Sequence, residues 1–91
     1  MDEELLHRQQ PQSLEAEQAV LGSILIDSRC ITDVVGIVKP EDFFLQQNRE
    51  IYETIYTMFN FSQTIDPVTV LDKLKELGYY HDNSRDYILQ L

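Results

Sequence analysis

Tryptophan is absent from this chain of 91 residues, and cysteine appears once, at Cys30. A single thiol can form neither an intrachain disulfide nor a thiolate metal site, a usage that fits a reducing compartment. Cys30 reads as a small, partly buried apolar residue. Glycine is almost as scarce. Gly22, Gly36 and Gly78 stand far apart, so no loop of clustered glycine amides can cradle a phosphate, and no nucleotide or other cofactor site is expected. His7 and His81 are the only histidines, and neither has a second His or Cys at metal-ligand spacing. The chain has no long apolar run, and no basic leader with a small-residue cleavage site. A soluble, unexported domain with no membrane contact is expected.

Positive charge is the other shortage. Seven Lys and Arg face sixteen Asp and Glu, a net charge of −9, and the cations Arg8, Arg29, Lys39, Arg49, Lys73, Lys75 and Arg85 are scattered. Tracking a phosphate backbone takes several cations on one face, so direct nucleic-acid binding by this chain is not expected. An acidic surface favours basic protein partners instead.

What the chain does hold is helical punctuation. Residues 1–12 are polar and read as a flexible leader. Ser13 is a hydroxyl N-cap, with Glu15 and Glu17 as first-turn charges complementing the helix dipole. The apolar residues Leu14, Ala16, Ala19, Val20, Leu21, Ile24 and Leu25 cover more than half the circumference of that helix, which should therefore lie between other elements. Gly22 in its middle costs roughly 1 kcal/mol against alanine, which suggests that another backbone comes close there. Asp27 is a plausible cap for a second helix, with Ile31, Val34, Val35 and Val38 inward and its end before Pro40.

Pro40 opens a single turn anchored by Phe43 and Phe44. Asn48 is expected to cap a third helix with Ile51, Ile55, Met58 and Phe59 inward, Tyr52 and Tyr56 partly wet, and Arg49, Glu50 and Glu53 in solvent. Asp66 with Pro67 starts a fourth, with Val68, Leu71, Leu74 and Leu77 inward and Gly78 as its stop. Residues 79–83 read as a turn, and Ser84 as the cap of a helix of about seven residues, too short to persist alone. The sum is an all-α, small orthogonal bundle of about five helices plus a short turn, one globular unit over residues 13–91.

No polar constellation for catalysis emerges. Glu15 and Glu17 project about 200° apart on a helix and cannot share a proton. The fourth helix has the outline of a DNA recognition helix, but its exposed residues include Asp72 and Glu76 where a groove reader needs cations or amides. Tyr79, Tyr80 and Tyr87 cluster near the end of the chain, and aromatics are favoured as interface anchors. Residues alone thus support an acidic, helical protein-binding module; a free-standing acidic regulator or nucleic-acid mimic is the alternative.

Five blocks in order carry a resemblance: PQSLEAEQAVLGSILID at 11–27, PEDFF at 40–44, NREIYETI at 48–55, IDPVTVLDKLKELG at 65–78 and YILQL at 87–91. Together they resemble the N-terminal domain of DnaB-type replicative DNA helicases. One departure is Asn83-Ser84-Arg85-Asp86, where the family usually has a glycine pair. The resemblance implies a non-catalytic assembly domain, truncated before a helical hairpin, a linker and an ATPase motor that would bind ATP and Mg. It implies self-association in a helicase hexamer as part of its collar, a DnaG-type primase as partner with a helicase loader as a further candidate, and a place in bacterial or phage replication in the cytoplasm. Carried over by position, Tyr87 with its helical neighbours Ile88 and Leu91 marks the partner interface, and Tyr79 and Tyr80 lie beside it.

Overall fold

The computed structural model describes residues 13–91, so the leader expectation for residues 1–12 lies outside the described residues. All its regular structure is helical: α1 (Leu14–Ile26), α2 (Ile31–Val35), α3 (Gln46–Asn60), α4 (Pro67–Leu77) and α5 (Ser84–Leu89). Two 3-10 turns, Ser28–Cys30 and Pro40–Asp42, flank α2. The long helix α3 is the spine. It packs on α1, on the Pro40–Asp42 turn and on α4, while α5 folds back on α4.

α1 starts as its sequence dictates, with the Ser13 hydroxyl accepting from the Ala16 amide at 3.1 Å. Only one side of it is covered. Leu21, Ile24 and Leu25 enter the core, whereas Leu14, Ala16, Ala19 and Ile26 remain exposed. The expectation of a helix enclosed all round is therefore corrected for the described residues. The glycine reading is right: a Cβ built on Gly22 would lie 2.9 Å from the carbonyl carbon of Leu91. The chain's last backbone group rests on this helix.

The second helix is shorter than its apolar pattern suggested. The Asp27 carboxylate caps the Ser28–Cys30 turn through the Arg29 amide, and α2 proper holds five residues with Ile31 buried. Pro40 opens the next turn as expected, but its two phenylalanines part company, Phe43 being 3% exposed and Phe44 62%.

α3 begins two residues before the expected cap. Leu45 takes the N-cap position, and Asn48 lies inside the helix with no exposed surface. Ile51, Ile55 and Met58 form the anticipated stripe. Tyr52 is also fully buried instead of partly wet, because its hydroxyl donates to the Val38 carbonyl at 2.7 Å and its ring lies 4.9 Å from that of Phe43. A satisfied hydroxyl removes the reason for a tyrosine to stay at the surface. Burial holds that phenol above its ordinary pKa. Arg49, Glu50 and Glu53 are half-buried and bonded to other elements, not free in solvent.

α4 has the cap the sequence announces: Asp66 accepts from the Thr69 amide at 2.9 Å while the Thr69 hydroxyl accepts from the Asp66 amide at 2.9 Å. Its inward face is Val70 and Leu74, flanked by the partly buried Leu71, whereas Val68 and Leu77 are exposed. A spacing of three drifts about 60° per step around an α-helix, so 68, 71, 74 and 77 cannot share one narrow face. Gly78, at φ +80°, ends the helix, and the Tyr79 amide closes back on the Leu74 carbonyl at 2.8 Å. This is the left-handed termination that favours glycine.

Candidate partner interface at the end of the bundle

Of the five residues singled out from sequence, Tyr79 and Tyr80 lie in the turn after α4, Tyr87 and Ile88 on α5, and Leu91 two residues past its end. The structure divides them. Ile88, at 2% exposure, is a core residue and cannot present itself to a partner while the domain is folded. That assignment is corrected: in a six-residue helix one side chain must fix the element to the bundle, and Ile88 does so while its neighbour Leu89, 57% exposed, faces out. Leu91 is half-buried, packed against the core and over Gly22.

Tyr79 is half-buried, and its hydroxyl donates to Glu53 Oε1 at 2.9 Å. The carboxylate that accepts this hydrogen holds the phenol above its ordinary pKa. Tyr80 is on the surface, with the Lys75 ammonium 5.0 Å from its ring centroid, inside cation–π range. His81 faces Glu50 at 3.1 Å, and its backbone amide donates to the Ser84 hydroxyl at 2.8 Å. Ser84 is thus the first residue of α5 and Asn83 its N-cap, one position earlier than the sequence suggested. Asn83 is held in turn by Gln47, whose amide donates to it at 3.1 Å. The surface left at this end comprises Leu77, Tyr80 and Leu89, at 41%, 36% and 57% exposure.

Tyr87 belongs to a polar network that the sequence did not reveal. Its hydroxyl donates to Asn48 Oδ1 and accepts from Gln18 Nε2 at 3.2 Å. Asn48 Nδ2 donates to Glu17 Oε1 at 2.8 Å, and the other Glu17 oxygen accepts from the Phe44 amide at 2.6 Å, with the Leu45 amide at 3.4 Å from Oε1. Glu17, 7% exposed, is therefore no surface charge of its own helix. It caps α3 from outside, occupying the N-terminal end of a helix whose N-cap Leu45 makes no side-chain bond. Nothing local in LEAEQ separates Glu17 from the exposed Glu15; only the face of α1 that meets α3 does.

Charge elsewhere is lopsided. Residues 13–91 carry thirteen acids and six cations, and several cations are already engaged. Arg29 pairs with Asp27 at 2.8 Å, Lys73 with Glu76 at 2.7 Å, and Arg49 donates to the Phe43 carbonyl at 3.1 Å. Among the described residues no three His, Cys, Asp or Glu are grouped to hold a metal ion, and no helix is long and apolar enough to cross a membrane.

Residues 9–91 match the family model described as the DnaB-like helicase N terminal domain. The chain belongs to this family. A DnaB-like N-terminal domain also explains the similarity to the replicative DNA helicase DnaB of Leifsonia xyli subsp. xyli (strain CTCB07), 34% identical over 71 residues. The replicative DNA helicase DnaB of Geobacillus stearothermophilus is 33% identical over 84 residues. These matches take in 78% and 86% of this chain but 16% and 18% of the relatives, so the chain spans less than a fifth of their length. Among solved structures, the crystal structure of the N-terminal domain of DnaB helicase from Mycobacterium tuberculosis superposes with a TM-score of 0.73 at 27% identity, covering 86% of this chain and 70% of that one. The all-helical fold expected from capping and periodicity is the fold of this domain.

Proposed function

We propose that this DnaB-like N-terminal domain is a non-catalytic interaction and assembly module of a replicative helicase. In this reading it contributes to the collar of a hexameric ring and offers its α4–α5 end to a DnaG-type primase, with a helicase loader as a second candidate partner. ATP hydrolysis, Mg binding and unwinding of DNA belong to a motor elsewhere in the full-length protein, which works in the bacterial or phage-infected cytoplasm. The observation that carries the partner assignment is the exposure of Leu77, Tyr80 and Leu89 on and beside α4 and α5, in a chain of net charge −9. Exposed apolar side chains on an acidic domain suit a basic partner with apolar side chains of its own.

The test is made in the full-length helicase. Tyr87→Ala is a poor probe, because it strips a ring packed on the core and a hydroxyl with two partners. Leu89→Glu and Tyr80→Ala alter the surface alone. Each should weaken binding of the primase C-terminal domain, measured by calorimetry, by about tenfold or more if the position is an interface anchor. Unchanged affinity in both variants, with unchanged thermal stability, rejects this surface.

A further inference from the structure

The network around Tyr87 joins three elements far apart in sequence, and its polarity is set from one end. A carboxylate only accepts hydrogen bonds. Glu17 therefore obliges Asn48 to turn its NH2 group inward, at 2.8 Å, which leaves the Asn48 carbonyl oxygen facing Tyr87. The phenol must then donate to that oxygen, and its lone pair is left for Gln18. Asn48 has no exposed surface, so water cannot substitute for either neighbour without opening the interface between α1 and α3. At the far end, the same carboxylate holds the Phe44 amide at 2.6 Å, and the Phe44 ring stands 62% exposed beside the buried Phe43.

We infer that this chain of hydrogen bonds is a coupling device: the seating of α5, sensed at the Tyr87 hydroxyl, sets the position of Phe44 through Asn48 and Glu17. Tyr87 and Asn48 act as positioning residues for Phe44, whose backbone amide is bonded to Glu17. The coupling does not depend on which partner the domain binds. If the phenol withdraws, the buried Asn48 carbonyl oxygen is left without its donor, and the side chain must shift to find another. Glu17 then loses a fixed donor, and the Phe44–Leu45 backbone loosens. Because coupling free energies are reciprocal, disturbing the Glu17 end must loosen α5 to the same extent. The phenolic hydrogen is also committed inside the domain, so a partner docking at Tyr87 meets the ring, not a free hydroxyl donor.

Amide hydrogen exchange read by NMR tests this on the chain as it stands. In Tyr87→Phe, which keeps the ring and removes one hydroxyl, exchange at the Phe44 and Leu45 amides should accelerate about three- to tenfold more than at the α3 core amides of Ile51 and Ile55. In Glu17→Gln the Tyr87 and Gln90 amides of the last helix should show the corresponding selective acceleration. Tyr87→Phe added to Glu17→Gln should then give no further selective effect at Phe44 and Leu45. Equal acceleration at all these amides would show a loss of global stability only and overturn the coupling. Fully additive local effects in the double variant would overturn it as well.

Discussion

Replacing Glu17 by Gln separates two physical roles for the same residue. As a first-turn acid on an exposed helix end it would contribute about 0.3–1 kcal/mol through the helix dipole, and salt would screen most of that. As the buried cap of α3 it contributes far more. Gln keeps one acceptor and converts the other into a donor. With its oxygen toward Asn48, its NH2 group faces the Phe44 amide across what had been a 2.6 Å hydrogen bond. A buried donor left without an acceptor costs about 1–3 kcal/mol, and bonds to a charged acceptor are worth about 1.5–3 kcal/mol. A loss of about 2–4 kcal/mol is therefore expected, a large part of the roughly 5–15 kcal/mol that holds a domain together. The assay is urea unfolding at neutral pH in low salt and in 1 M salt, with Glu15→Gln as control because Glu15 is exposed one turn edge away. The control should lose no more than about 1 kcal/mol, and salt should erase it. Glu17→Gln should keep its full loss in salt. If the two variants match, or if salt abolishes the Glu17 effect, the cap is not real.

The glycines give a second comparison. Gly22→Ala gains about 1 kcal/mol of helix propensity but places a methyl 2.9 Å from the Leu91 carbonyl carbon, an overpacking cost of about 1–3 kcal/mol. It should lower the unfolding midpoint, whereas Gly36→Ala, whose added carbon meets nothing nearer than 3.9 Å, should leave it unchanged or raise it. A stabilising Gly22→Ala would refute the close approach. The two helix stops behave oppositely: Ser62 adopts φ 54° after α3 and Gly78 φ 80° after α4. Ser62→Gly should therefore stabilise by up to about 1 kcal/mol and Gly78→Ala destabilise by about 1–2 kcal/mol in the same unfolding assay.

Asp27 offers a pH test. Its hydrogen bonds from Arg29 lower its pKa to about 2 in the fold, below the usual carboxylate value near 3.8. The folded value is depressed, so the pair's contribution is fully present above the unfolded pKa and is lost as pH falls through about 2. NMR titration should place the Asp27 midpoint there, and Arg29→Ala should return it to the ordinary range; an unmoved midpoint would refute the pairing.

Much of this architecture was legible where a residue acts on its own neighbours in sequence. Ser13, Asp66 with Pro67, and Gly78 each cap or stop a helix through atoms at most five residues away, so local pattern sufficed. Two of the failures occur where a distant element decides. Asn48 has the chemistry of a cap, but Glu17, thirty-one residues earlier, draws it inside α3 and takes over the capping itself. Tyr52 looked amphipathic until the Val38 carbonyl supplied its acceptor. On α4, counting in threes put Val68 and Leu77 on a face that belongs to Val70 and Leu74. For the candidate interface, the aromatic cluster pointed to the end of the chain, around α5. It could not distinguish Ile88 from Leu89, because one apolar side chain of so short a helix had to face inward and composition does not say which.

The buried carboxylate also acts as a register key for assembly of the fold. Sliding α1 by one turn, about 5.4 Å along its axis, would keep apolar surface against α3 but carry the acid away from the Phe44 amide and the Asn48 side chain. Greasy packing tolerates such slips; a charged acceptor with three dedicated donors does not. Misdocked forms are thus raised in free energy as a class, and the domain gains a single seating of its first helix from one residue that an acidic composition would lead one to overlook.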